Sequence, residues 1–390
     1  MMRSLTTQDV KGKRILVRID VDVELAGDRK TIASDFKLRS QISTIEWLRR
    51  NGAKAILVGH FGRPDGKKDA NLSLAPMAKI FSELLRKRVK LLGDCVGDEV
   101  EDEVLHMKNE DVVLLENVRF HKGETENDMV FARRLARLAD IYVNNAFANC
   151  HRKHASMVAI AGLLPSYAGI LLEKEVLALS LVLKNPKRPL VLVIGGAKIE
   201  TKLPIIKNFL KNASAILVGG AVANTFFAGK GYRTEASRVE RDFIPVARRL
   251  LKNRKIVLPI DVVTSPNPHG KKGIAFRDAK KIQSGEMILD IGQKSLERFS
   301  AHIHKAGTVV WNGPMGLFEI AAFAHGTDAL ARIIASSKAY KVVGGGETGI
   351  VLKNLGIEDK INHISTGGGA MLEFLGGKRL SGLEALGYYK

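Results

Sequence analysis

The 390-residue sequence predicts an α/β protein of two Rossmann-like domains, each a parallel β-sheet flanked by helices, joined by a hinge helix. Three observations lead there. Short β-branched runs alternate with longer amphipathic stretches along the whole chain. The runs are apolar throughout rather than alternating, as strands buried on both faces are. The length suits two domains, and apolar residues, 45% of the chain, are spread so that each half can bury its own core.

In the first half the expected strands are 14–20, 55–59, 112–115 and 141–143, with helical patterns at 40–50, 74–86 and 128–138 between them. In the second half the strands are 190–194, 215–218, 255–258, 308–311, 341–343 and 362–364, with a helix at 202–209. The longest uncharged stretch, 155–172, is divided by Pro165 and Ser166 and weakened by Gly162 and Gly169. It reads as a buried helix, a turn and a second helix rather than a membrane span. Residues 171–183 (LLEKEVLALSLVL) hold strong helix formers and no breaker, and Pro186 and Pro189 follow. This gives a first domain over 1–170, a connecting helix over 171–186 and a second domain over 187–375. The tail 376–390 is expected to pack back on the first domain.

The balance of 61 Lys and Arg against 41 Asp and Glu leaves a formal charge of +20, which suggests either an anionic partner or a solvated basic surface. The cations are dispersed in short pairs such as Arg49-Arg50, and no basic stripe carries interleaved aromatics, so no dedicated nucleic-acid binding is expected. The N-terminus lacks the apolar run of a signal peptide, and the two cysteines, Cys95 and Cys150, lie far apart in sequence. A reducing, cytoplasmic setting follows, with no membrane partner.

Ligands of open parallel sheets bind beyond the carboxyl ends of the strands. In the first half those ends carry Asp20 and Asp22, then His60 and Arg63, then Arg119, and then Asn144-Asn145 with His151, Arg152 and His154 just beyond. Cations gathered there suit an acidic ligand, since arginine pairs well with carboxylate and phosphate. Cys150, His151 and His154 lack a fourth partner for a metal. In the second half the ends carry Gly195-Gly196 with Lys198, Gly219-Gly220, Asn312-Gly313, Gly344–Gly346 and Gly367–Gly369. Glycine loops opening into helices let backbone N–H groups and the helix dipole meet a phosphate. No Gly-Lys pair is followed by Ser or Thr, so there is no P-loop, and G-x-G-x-x-G at 344–349 has no acidic residue after the following strand. Nothing resembles a Ser-His-Asp or Cys-His set, which fits phosphoryl transfer, where positioning and charge neutralisation supply most of the catalysis.

The chain resembles the phosphoglycerate kinase family over almost its whole length. The resemblance rests on 311–319 (WNGPMGLFE), 195–202 (GGAKIETK), 344–348 (GGGET), 365–373 (STGGGAMLE), 115–120 (LENVRF) and 151–156 (HRKHAS), in that family's order and spacing. It implies reversible phosphoryl transfer between ATP and the carboxylate of 3-phosphoglycerate, a step of glycolysis and gluconeogenesis, with Mg²⁺ as cofactor. Hinge closure would join the acceptor domain to the nucleotide-binding domain and exclude water. A monomer is expected, with a dimer as the alternative. Asp20, Asp22, Lys37, His60, Arg63, Arg119 and Arg152 would hold the acceptor. Gly196, Lys198, Lys202, Gly219, Gly220, Asn312, Glu319, Gly345, Gly346, Glu347 and Thr348 would bind the nucleotide, with Glu347 toward the metal. Lys37, Lys198, Gly345, Gly346, Gly368 and Gly369 would surround the transferred group.

Several positions depart from the family pattern. Asp22 stands where an asparagine is usual, Lys37 where the catalytic arginine is usual, Glu347 where most members have aspartate, and 144–148 (NNAFA) replaces Asn-Asp-Ala-Phe-Gly. A carboxylate at 22 adds a like charge beside an anionic acceptor. Lysine at 37 keeps the charge and loses the fork geometry, and Arg39, two residues on, should point elsewhere. These changes leave two alternatives: a paralogue acting on another small phosphorylated acid, or a nucleotide-binding protein with little catalysis.

Overall fold

The computed structural model describes residues 2–23, 32, 34–269 and 272–389, and the chain divides into two compact units. The first comprises Met1–Leu177 with Arg379–Lys390, the second Ala178–Lys378.

The first unit contains strands β1 (Arg14–Arg18), β2 (Lys54–Val58), β3 (Lys90–Leu91), β4 (Val112–Leu114), β5 (Ile141–Asn144) and β6 (Ser166–Ala168). They form one parallel sheet in the order β3-β4-β2-β1-β5-β6. Helices α1 (Phe36–Arg50), α2 (Ala75–Leu85), α3 (Asp98–Leu105), α4 (Lys122–Thr125) and α5 (Met129–Ala136) connect them. The apolar runs Ile15–Val17 and Ala55–Val58 are fully buried, as a sheet covered on both faces requires. Connections leave β1 toward β2 and return to β5 on its other side, so the sheet's switch point lies between β1 and β5. A crevice opens at such a point, and Asp20, Asp22 and Asn144-Asn145 follow its two strands.

Between 155 and 172 the expected pair of helices does not form. A 3₁₀ turn (Ala159–Gly162) leads into the edge strand β6, and only then does helix α6 (Ile170–Lys184) begin. Pro165 and the β-prone Ser166-Tyr167 favour an edge strand, and on its outer side Ala168 N–H donates to the Arg3 carbonyl at 2.9 Å. The tail helix Ser381–Ala385 is anchored by Gly382 N–H donating to the Cys150 carbonyl at 2.8 Å. A Cβ at position 382 would lie 3.0 Å from Cys150 Cα, so the two backbones meet there closely.

The second unit contains β7 (Leu190–Ile194), β8 (Ala215–Val218), β9 (Ile256–Val257), β10 (Asp261–Ser265), β11 (Ala275–Asp278), β12 (Met287–Ile291), β13 (Thr308–Asn312), β14 (Tyr340–Gly344) and β15 (His363–Ser365). Six form a parallel sheet ordered β15-β14-β13-β7-β8-β9. The other three form an antiparallel sheet, β11-β10-β12, that the sequence pattern did not suggest. The helices are α7 (Leu203–Asn212), α8 (Gly220–Gly229), α9 (Ile244–Leu250), α10 (Gln293–His304), α11 (His325–Ser336), α12 (Gly346–Asn354) and α13 (Gly368–Leu375). Trp311 on the central β13 is fully buried and donates from its indole to the Gly313 carbonyl at 2.9 Å, which holds the turn after that strand. No helix among the described residues is long and apolar enough to cross a membrane.

Candidate active site

In the first unit the groups past the strand ends converge. Arg18 ends β1 and is wholly buried. Its Nε donates to Ser156 Oγ at 2.8 Å, its Nη1 to the Ile19 carbonyl, and its Nη2 meets His60 Nδ1 at 2.7 Å. Ser156 in turn donates to the buried Glu124 at 2.7 Å. Burial, with Arg18 and Arg119 nearby, pushes His60 down to about 4, so the ring is neutral at pH 7. Because a guanidinium only donates, Nδ1 must accept and the proton sits on Nε2. That Nε2 has no hydrogen-bond partner and lies 3.6 Å from Asp22 Oδ2.

Asp22 is half-buried and accepts the Gly62 N–H at 3.0 Å. Burial opposes its ionisation, but His60, the Gly62 amide and Lys37 together hold its carboxyl well below the usual range. Lys37, in the first turn of α1, places Nζ 2.7 Å from the Asp22 carbonyl oxygen and 3.1 Å from Asp20 Oδ2. Arg39 turns away and pairs with Asp35 at 2.6 Å. Helix spacing explains the difference: two positions along an α-helix face opposite ways, whereas Asp35 lies one turn before Arg39.

Arg119 donates from Nη1 to the Gly62 carbonyl at 2.7 Å, while its buried Nε has no partner. The buried Nε of Arg152 is likewise unpartnered. Burial and the neighbouring Arg152 and Arg18 push Arg119 down to about 10. Burial and the same three arginines push His154 down to about 3. Three guanidinium groups thus crowd one another, and of the carboxylates that act on Arg119, Asp22 and Glu124, the second is already engaged by Ser156. An anion entering there would relieve the repulsion and satisfy the free donors. Arg63 is exposed and forms no ion pair among the described residues. Sequence reasoning missed Arg18, Ser156 and Glu124. The one available signal was a cation closing an otherwise apolar strand.

Metal-ligating side chains in the first unit gather elsewhere. Asp94, Cys95 and His121 lie near one another, but His121 is already bonded to Asp94 at 2.6 Å and Lys68 stands 3.3 Å from the same carboxylate. Those contacts account for the cluster as an internal polar network. Cys150 instead donates to the Ala146 carbonyl at 3.6 Å.

In the second unit the glycine loops close on each other. Gly196 N–H donates to the Pro314 carbonyl at 2.8 Å, and Gly220 N–H to Met315 at 2.9 Å. Gly220 has a φ of +60°, and a Cβ there would sit 2.6 Å from Gly196 N, so no side chain fits. Gly219 precedes it as the cap of α8. A cavity of about 210 Å³ opens beside these loops, lined by Gly196, Gly220, Phe227, Met315, Glu319 and Glu347 among others. Its walls from α8 and the β12 strand are largely apolar.

Beside it, helices α12 and α13 begin almost in contact: a Cβ on Gly368 would lie 2.9 Å from Gly345 Cα. Gly345 has a φ of +115°, and Gly346 and Gly369 carry no side chain at the start of either helix. Two N-terminal dipoles side by side make a site for anionic oxygens. Asn312 ties the loops together, donating to the Gly344 carbonyl at 2.6 Å while Lys202 Nζ donates to its Oδ1. Thr348 closes the turn onto the Gly344 carbonyl at 2.9 Å. Burial pushes Lys202 down to about 8, with Glu347 opposing. Lys198 and Glu319 are exposed.

A family model described as phosphoglycerate kinase matches residues 5–378. The phosphoglycerate kinase of Pelotomaculum thermopropionicum is 46% identical over 383 residues, 97% of each chain. That of Dictyoglomus turgidum is 45% identical over 388 residues, 98% of this chain and 97% of the relative. Among solved structures, phosphoglycerate kinase from Coxiella burnetii aligns with a TM-score of 0.87 at 36% identity over the whole of both chains. The Pyrococcus horikoshii enzyme aligns with a TM-score of 0.90 at 31% identity over 99% of this chain and 98% of that one.

Proposed function

The chain belongs to the phosphoglycerate kinase family, and from that premise we propose which of its own residues carry the reaction. The chain is a phosphotransferase with a carboxyl acceptor, moving a phosphoryl group reversibly between ATP and the carboxylate of 3-phosphoglycerate.

The first unit is the acceptor domain. The observation that carries this reading is the crowd of Arg18, Arg119 and Arg152 with two buried, unpartnered Nε atoms. Arg119, Arg152 and Arg63 bind the phosphate and carboxylate of 3-phosphoglycerate, and the Nε2–H of neutral His60 donates to it. A carboxylate is already ionised at neutral pH, so no general base is needed. Lys37, held by Asp20 and the Asp22 carbonyl, supplies the positive charge nearest the reacting oxygens.

The second unit is the nucleotide domain. The apolar cavity by Gly219-Gly220 seats the base, and Glu319 on its rim accepts from the ribose. Lys198, Lys202, Gly196 and Asn312 take the phosphate chain. The N-terminal amides at Gly345-Gly346 and Gly368-Gly369, with Thr348, stabilise the charge on the transferring group. The donor set suits Mg²⁺, which takes one or two carboxylates and otherwise keeps water and phosphate oxygens. Glu347, in the first turn of α12 and on the cavity wall, is that carboxylate. When bound, the ion neutralises phosphate charge. The protein works as a monomer in the cytoplasm, a reducing compartment that two free, buried cysteines suit.

A coupled assay with Mg-ATP and 3-phosphoglycerate tests this reading. Turnover in the range of ordinary kinases, roughly 1–100 per second, is expected. ATP binding without turnover on 3-phosphoglycerate would overturn it.

A further inference from the structure

A second cavity, ringed by cations, lies in the nucleotide unit away from the glycine loops and shares Pro259 with the first. It has a volume of about 600 Å³, within the range of roughly 300–1,000 Å³ that small-molecule sites occupy. Its rim carries Lys230, Arg248, Lys252, Arg254, Lys280 and Arg298, with Asp278 as the one carboxylate. Among the described residues none of the six forms an ion pair.

Helix ends explain part of this cluster. Lys230 follows α8 and Arg248 sits in the last turn of α9, where cations complement the helix dipole. Arg298 is in the middle of α10 and Lys280 follows β11, so neither has that reason to be there. Cations from four separate elements therefore converge on one hollow. Two are held in place: Lys230 Nζ stands 5.1 Å from the centre of the Tyr232 ring, and Arg248 Nε donates to the Gly229 carbonyl at 3.3 Å. Part of the lining is apolar, from Leu258, Pro259 and Ile260, and Ile260 is an exposed large hydrophobic side chain at 42%. The positive field reaches one turn along α10, where His302 is pushed down by burial and by Arg298 and Lys305.

We propose that this hollow is a second ligand site, taking a small molecule with a chain of phosphate groups, separate from the nucleotide consumed in the reaction. The cations meet the phosphates, and the apolar part of the lining takes whatever body the chain carries. Free polyphosphate and a nucleoside polyphosphate share this chemistry.

Calorimetric titration of the full chain with inorganic tripolyphosphate, under saturating Mg-ADP and 3-phosphoglycerate to fill both the nucleotide and the acceptor sites, tests the proposal. One equivalent should bind, about tenfold more weakly at 200 mM than at 50 mM salt. The triple variant Lys252→Glu, Arg254→Glu, Arg298→Glu should lose that binding by at least about 100-fold while kinase turnover is unchanged. Should the triple variant fail to fold, Arg254→Gln alone should weaken binding about 3–10-fold. A parallel titration with a non-hydrolysable nucleoside triphosphate identifies the source. Affinity tenfold above tripolyphosphate points to a nucleoside polyphosphate seated on the apolar lining, and equal affinity to free polyphosphate. No binding under saturating Mg-ADP and 3-phosphoglycerate, binding unaffected by the substitutions, or binding of a single-stranded oligonucleotide without tripolyphosphate would each overturn the proposal.

Discussion

Arg18 Nη2 lies 2.7 Å from His60 Nδ1, and this contact decides which imidazole nitrogen carries the proton. Only Nε2 is left to donate, and it is buried without a hydrogen-bond partner, 3.6 Å from Asp22 Oδ2. Replacing Arg18 by Gln removes the restraint and strands Ser156 and Glu124 without their cation. The Michaelis constant for 3-phosphoglycerate should rise about tenfold, with a smaller change in kcat. Stability should fall by about 3 kcal/mol because a buried charged network is broken. Steady-state kinetics and urea unfolding check both. An unchanged Michaelis constant would show that the tautomer does not matter to binding.

Asp22 puts a carboxylate where the acceptor's own negative charge must come. Asp22→Asn keeps the acceptor for the Gly62 amide and removes the charge. The Michaelis constant for 3-phosphoglycerate should fall about 3–10-fold at low salt, and the gain should shrink as salt screens the repulsion. A rise would mean that the carboxylate orients His60 more than it repels substrate.

His60 also links stability to pH. Its folded pKa is about 4, below the unfolded value of 6.5, so between those limits the unfolded chain binds the extra proton. Stability is then intact above about pH 6.5 and is lost progressively as pH falls to 4, by up to roughly 3 kcal/mol. Chemical denaturation across that range should show the loss, and His60→Gln should flatten it.

Lys202 makes nucleotide binding pH-dependent in the opposite direction. With its pKa pushed down to about 8, the unliganded lysine loses its charge as pH rises past 8. Phosphates restore the charge, so Mg-ADP should bind with proton uptake near pH 8–9 and weaken above it. Calorimetry in buffers of different ionisation enthalpy reads the uptake directly, and Lys202→Met should abolish it.

Much of the architecture was legible because a parallel sheet covered by helices demands unbroken apolar strands. Leu190–Ile194 and Thr308–Asn312 announce themselves that way. The two-residue β3 is too short to show a pattern. Strand β11 alternates half-buried and exposed residues, with Arg277 and Asp278 in a run of four, and reads as a loop. The site's residue types were legible too, since glycines and cations at strand ends have few other uses together. The support behind them was not. Ser156 is 138 residues from Arg18, and His60 is 42 away, so only the fold joins them. Lys37 was legible as a charge, but its hold on the Asp22 carbonyl depends on how α1 begins.

The division of labour between the units is tested most directly by measuring the affinities of 3-phosphoglycerate and Mg-ADP separately in the wild type and in Arg119→Gln. The variant should lose at least about 100-fold in affinity for 3-phosphoglycerate, as expected when a charge-assisted anion contact is removed, and bind Mg-ADP as before. Retained 3-phosphoglycerate affinity within twofold, or an equal loss of both ligands, would contradict that division of labour.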